Sequence, residues 1–84
     1  MAIVPGKLYN LTGHTNNLYV YKYYLDNIGI WKPMLKSGRL IQINLKNHTD
    51  KPILCVAKTN PNLGIFLFEY DNVGIGISNL RSYE

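Results

Sequence analysis

Apolar and polar residues alternate with a period of two along most of this chain, and Gly, Asn, Asp or Pro breaks the alternation at roughly eight- to twelve-residue intervals. Neighbouring residues of a strand point to opposite faces, so such alternation gives each segment one face for a core and one for water. A helix needs apolar residues recurring three and four positions apart. No window provides them, and β-branched or aromatic residues fill the runs where a helix would have to sit. The pattern predicts an all-β fold.

Seven segments read as strands. Lys7 to Thr12 comes first and is followed by the polar loop Gly13 to Asn17. Leu18 to Leu25 is the longest and ends at Asp26-Asn27. Ile28 to Lys32 is expected to stop at Pro33, which has no N–H for a central ladder. Leu35 to Gly38 forms a turn into Arg39 to Leu45, and Lys46 to Lys51 forms the next turn. Ile53 to Lys58 is apolar enough for burial on both faces. Thr59-Asn60-Pro61-Asn62 is a turn, since Pro presets φ and Asn tolerates left-handed backbone. Ile65 to Tyr70 and Val73 to Ile77 complete the set, with Asp71-Asn72 expected as a tight hairpin turn between them. The tail Ser78 to Glu84 has no pattern, and fits a short helical turn or a frayed end.

Eighty-four residues make one domain, which buries only about 60–65% of its unfolded surface. Six or seven short strands leave too little chain for two large sheets. Curling the strands into a small antiparallel barrel removes the edges that a flat sheet would expose. The expected architecture is therefore a barrel, SH3-like or OB-like, spanning residues 1–84. The opening Pro5-Gly6-Lys7-Leu8-Tyr9 and the hairpin spacing favour the SH3-like form as architecture only.

Disorder is excluded, because seven Tyr, two Phe and one Trp are a large apolar supply for so short a chain. The one cysteine, Cys55, has no internal partner and sits in the apolar run Ile53 to Ala57, where it reads as a small buried hydrophobe. Small secreted domains usually carry several disulfides, so a lone thiol points to a reducing, cytoplasmic setting. The first residues lack the basic and long apolar regions of a signal peptide, and no apolar run reaches membrane-spanning length. Abundant Asn, Ile, Lys and Tyr suit an A·T-rich genome such as that of a low-GC bacterium or a bacteriophage.

The most unusual local feature is Leu18-Tyr19-Val20-Tyr21-Lys22-Tyr23-Tyr24-Leu25. In a continuous strand Tyr19, Tyr21 and Tyr23 share one face, and Val20, Lys22 and Tyr24 the other. Three aligned rings can stack on bases while nearby Lys holds phosphates. They can equally form a protein-binding surface, or simply fill half-buried strand positions that suit Tyr. Phe66, Phe68 and Tyr70 form a second row, but Ile65 and Leu67 make the opposite face apolar too, so this strand reads as central core. Trp31, beside Lys32 and Pro33 at a strand end, is placed to stay half exposed.

Nine Lys and Arg stand against five Asp and Glu, a net charge of +4 that favours anionic partners. Seven of the nine cations are scattered Lys, however, and Arg usually leads in phosphate recognition. Lys22, Lys32, Lys36, Arg39, Lys46, Lys51 and Lys58 lie near the aromatics. Lys36-Ser37-Gly38-Arg39 is a turn able to seat a phosphate, or simply a solvated hairpin tip.

Catalytic material is sparse. His14 and His48 sit in polar loops with no spacing that forces them together, and Asp26, Asp50 and Asp71 occupy turn positions that Asp favours for local backbone bonds. Two His and one Cys fall short of a structural zinc site, and Gly74-Ile75-Gly76 lacks the helix that a dinucleotide fingerprint needs. No cofactor is implied.

Two functions fit these residues. One is a non-enzymatic interaction module, such as a phage accessory protein that docks on and modulates a host protein through exposed aromatics. The other is a barrel that binds or sequesters nucleic acid or a small nucleotide, with Tyr19, Tyr21, Tyr23 and Trp31 stacking and Lys22, Lys32, Lys36 and Arg39 holding phosphates. Homo-oligomerisation suits either, and no membrane partner is expected.

Overall fold

Phe66, Val73 and Ile75 alternate with residues that turn away from them, and this period-two pattern builds the largest sheet. The computed structural model describes residues 1–35, 40–48 and 50–83. Its strands in chain order are β1 (Leu8–Leu11), β2 (Asn17–Tyr21), β3 (Tyr23–Leu25), β4 (Trp31–Pro33), β5 (Leu40–Asn44), β6 (Ile53–Asn60), β7 (Leu63–Phe68), β8 (Asp71–Gly76) and β9 (Leu80–Ser82). One helical turn, α1 (Leu45–His48), follows β5, and a 3₁₀ turn (Ile77–Asn79) precedes β9. The fold is all-β, as the alternation requires.

The strands do not close into a barrel. Among the described residues they form an antiparallel five-stranded sheet, ordered β8-β7-β6-β1-β9, and two separate ribbons, β2-β5 and β3-β4. The physical reason lies at Lys22. The predicted strand from Leu18 to Leu25 is broken there, and a single bridge from Lys22 to Val73 is the link between this segment and the edge of β8. Closure needs a continuous ladder, and one bridge does not supply it.

The core lies between the five-stranded sheet and the β2-β5 ribbon. The sheet contributes Tyr9, Leu11, Ile53, Cys55, Phe66, Phe68, Val73, Ile75 and Leu80, and the ribbon contributes Val20 and Ile43 with Leu18 and Ile41 at the margin. The register pairs Leu18 with Ile43 and Val20 with Ile41, which puts all four on the ribbon's inner face. The β3-β4 ribbon packs against β8 instead. Its Tyr23 ring lies so close to Gly74 that any Cβ there would strike it. Ile65, paired with Gly74 and fully buried, shares that outer face of the sheet.

The N-terminal arm is pinned by Tyr9. Its hydroxyl accepts from the Val4 N–H at 2.7 Å and donates to the Ala2 carbonyl at 3.1 Å, while its ring meets Phe66 edge-on at 5.7 Å. Ile3 is thereby buried in the cluster. Pro5 and Gly6 then turn the chain into β1, with Gly6 at φ +90°, a conformation that favours glycine.

Several sequence expectations are corrected. Ile53 to Lys58 is not buried on both faces: Leu54 and Val56 are 38% and 36% exposed, because β6 shows only Ile53 and Cys55 to the core and is irregular beyond Cys55. The turn between β7 and β8 is Glu69-Tyr70 rather than Asp71-Asn72, so Tyr70 is 98% exposed instead of central core. Moving a hairpin turn by two residues preserves the inward faces, so alternation cannot choose between the two registers. Packing chooses: Ile75 lies opposite Gly64, and Gly74 lies opposite Ile65 under the Tyr23 ring. Ile28 to Ile30 is a turn and Pro33 is a strand residue, because Asp26 gathers the chain behind it. Its carboxylate accepts the N–H groups of Ile28 and Ile30 at 3.0 and 2.8 Å. The tail is both a helical turn and a strand: Leu80 is buried opposite Leu11, and Asn79 exchanges bonds with Thr12. The Asn60-Pro61-Asn62 turn lies where it is expected, with the Asn62 N–H bonded to the Asn60 side chain.

Candidate binding surface

Burial of Val20 decides the orientation of β2. With Val20 at 4% exposure in the core, its neighbours Tyr19 and Tyr21 must point the other way, and they are 57% and 41% exposed. The cross-strand partners are Gln42 for Tyr19 and Leu40 for Tyr21. The Leu45 N–H bonds the Asn16 carbonyl at 2.8 Å, which fixes the phase of the ladder. Pairs 18–43 and 20–41 exchange backbone bonds, while 19–42 and 21–40 are the non-bonded pairs, whose side chains lie closest together. Tyr19, Tyr21, Leu40 and Gln42 therefore form one exposed face. Gln42 donates to the Asn17 side chain at 3.0 Å and orders its polar end.

Tyr23 does not join that row. The break at Lys22 sends it to the other ribbon, where it is half-buried against Gly74, and burial pushes its phenol pKa up. A ring used for packing is not free to stack on a ligand, so the three-tyrosine platform is reduced to two. Lys22 lies beside that face, but its ammonium is paired with Asp71 at 3.4 Å. Lys32 is similarly held by Asp26 at 3.1 Å. The Ile30 N–H is the main cause holding the Asp26 carboxyl below its usual pKa, with Lys32 and the Ile28 N–H assisting. Two of the expected phosphate ligands are thus committed to ion pairs on the surface. Lys36 and Arg39 lie outside the described residues.

Trp31 is half-buried on β4 opposite Leu25. It lines an open cleft of about 240 Å³ with Gly29, Ile30, Lys58 and Thr59. The Trp31–Lys58 juxtaposition was not legible in sequence, because it needs the β3-β4 ribbon to reach the far end of β6. Leu40 and Gln42 were missed as neighbours of the tyrosines for a similar reason. Strand pairing, not sequence spacing, brings them together.

The groups that carry acid–base or nucleophilic chemistry are dispersed. His48 is held edge-on to Phe68 at 4.9 Å, whereas His14 is exposed in the loop after β1. Cys55 is buried, and its thiol donates to the Ala57 carbonyl at 3.2 Å. Burial pushes its pKa up, against smaller opposing effects from that bond and from Lys58, which keeps it a thiol. Among the described residues no three His, Cys, Asp or Glu gather as a metal site, and no helix is long and apolar enough to cross a membrane. In comparisons with known proteins, no family model, no curated protein and no solved structure matches this chain.

Proposed function

We propose that this chain is a non-enzymatic binding module whose working surface is the outer face of the β2-β5 ribbon and whose partner is a protein. The observation that carries the proposal is the exposure of Tyr19 and Tyr21 on a ribbon whose opposite face is locked into the core by Val20 and Ile43. Tyr supplies a large amphipathic contact for little entropy, and a rigid support lowers the ordering cost further. The neighbours Leu40 and Gln42 are apolar and neutral, which suits a protein surface better than a phosphate backbone. The pairing of Lys22 and Lys32 with carboxylates points the same way.

The test is co-purification with wild-type protein and with the double variant Tyr19→Ala/Tyr21→Ala as parallel baits. A partner held by the first and lost by the second, with the variant still folded, supports the proposal. Equal capture by both removes the tyrosine face from consideration.

A second reading rests on Trp31 beside Lys58. An aromatic and a cation on one cleft suit a base and its phosphate. A labelled oligonucleotide titrated at two salt concentrations tests it: binding that falls steeply with salt and is lost in Trp31→Ala favours this reading. Absence of binding at low salt eliminates the oligonucleotide form.

A further inference from the structure

Among the described residues the β2-β5 ribbon has two outer edges, of which that of β2 runs toward β8 and that of β5 does not meet the sheet. Ile41 and Ile43 turn their N–H and C=O groups toward β2, as Leu45 does its N–H, so Leu40 and Gln42 turn theirs, and Asn44 its N–H, away from it. Among the described residues β5 has no strand partner on that side. Natural sheets guard such edges with charge, proline, bulges or brevity. The edge of β8 is met by Lys22, and β9 has only three residues and carries Arg81. β5, with the sequence Leu-Ile-Gln-Ile-Asn, has neither charge nor proline, and its register with β2 runs without a bulge.

We propose that β5 is the pairing edge of a two-fold homodimer, in which it lies antiparallel to β5 of a second copy with Gln42 on the symmetry axis. The register follows from the chemistry of the edge. Only residues 40, 42 and 44 present outward backbone groups, and a two-fold axis through Gln42 matches each with an outward-facing residue: Gln42 with itself, and Leu40 with Asn44. Gln42 exchanges two backbone bonds with its copy, and each Leu40–Asn44 pair adds one from the Asn44 N–H, because the Asn44 carbonyl is the first acceptor of α1. Ile41 meets Ile43 of the partner subunit across the non-bonded pairs, a β-branched contact that extends the inner face. The interface uses the same patch on both copies, so it closes at two and does not propagate.

The second copy is the favoured occupant because this edge complements itself without any side-chain change and carries no charge within Leu40–Asn44, the cations Arg39 and Lys46 falling at the ends of the pairing. Each chain carries a net +4, so the remaining repulsion is long-range and salt screens it. The dimer brings two Tyr19–Tyr21 faces side by side on a four-stranded ribbon. Dimerisation does not depend on the protein-docking role proposed above, since it uses the backbone edge and not the rings.

The experiment is sedimentation equilibrium of the full chain over a concentration series, with circular dichroism to check folding. Wild-type protein is expected to associate reversibly to a dimer, more strongly at higher salt. Gln42→Lys and Gln42→Glu each place two like charges opposite one another at the axis, and each is expected to lower association at least tenfold. Mixing the two variants puts Lys against Glu and is expected to restore dimerisation as a heterodimer. A wild-type monomer at every concentration overturns the proposal. So does a dimer indifferent to both substitutions, which would place the contact elsewhere, for example on the exposed outer row of Leu8, Leu54 and Leu67. Failure of the mixture to recover overturns the Gln42-centred register.

Discussion

Replacing Gly74 by Ala tests how the β3-β4 ribbon is attached. The added methyl would strike the Tyr23 ring, with Cδ1 and Cζ at 3.0 Å and Cε1 closer still. The ring is held over the sheet at Gly74, so relieving the overlap means tilting it away. Overpacking of this kind costs about 1–3 kcal/mol. The opposing gain from a less flexible unfolded chain is about 0.4–1 kcal/mol. The net expectation is a loss of roughly 1–2 kcal/mol, which for a domain this small lowers Tm by roughly 4–16 °C. Urea unfolding followed by circular dichroism and by the fluorescence of Trp31, the one tryptophan, measures it. The decisive comparison is with Tyr23→Ala. With the ring gone the three atoms nearest the methyl are removed, so Gly74→Ala should become neutral or stabilising by about 0.5–1 kcal/mol. A coupling energy of at least about 1 kcal/mol is expected from the cycle. Additivity within about 0.5 kcal/mol would refute the packing account, as would stabilisation by Gly74→Ala with Tyr23 in place.

Val20→Ala should cost about 2 kcal/mol by removing two buried methyl groups, whereas Tyr19→Ala and Tyr21→Ala should each cost under about 1 kcal/mol; the reverse order in chemical denaturation would mean that the rings fill the core. The lowered Asp26 pKa means that its contribution to stability is present above the ordinary carboxylate range and is lost as pH falls through its folded value. Asp26→Asn should therefore flatten the acid limb of a stability–pH curve, and an unchanged limb counts against the turn's role. The raised Tyr23 pKa has the opposite consequence: its contribution is intact below the ordinary phenol range and is lost as pH rises through the folded value. Tyr23→Phe should reduce the alkaline loss, read from thermal melts across alkaline pH. Cys55 should resist a thiol reagent in native buffer and react at a rate set by opening of the fold, so rapid stoichiometric labelling without denaturant would contradict its burial.

Alternation in the sequence determined the all-β class, and Asn60-Pro61-Asn62 determined a turn. Each depends on local chemistry: side-chain parity along a strand, or a residue that presets its own φ. Parity also told that Tyr19 and Tyr21 share a face. Whether that face was wet or dry depended on Val20 and could not be read locally, because both faces of the segment carried apolar side chains.

Tertiary structure decided what parity leaves degenerate. The β7-β8 turn could move by two residues, and the pairing by four, with every face preserved, and Gly64 opposite Ile75 and Gly74 beneath Tyr23 fixed it. The break at Lys22 has no turn residue to announce it; it exists because the chain meets the edge of β8 there and passes to the sheet's other side. That crossing split the expected strand, left the barrel open, took Tyr23 out of the aromatic row and brought Trp31 to Lys58. The same arrangement leaves Leu40, Gln42 and Asn44 with outward backbone groups, a property of pairing between distant strands that no run of residues contains.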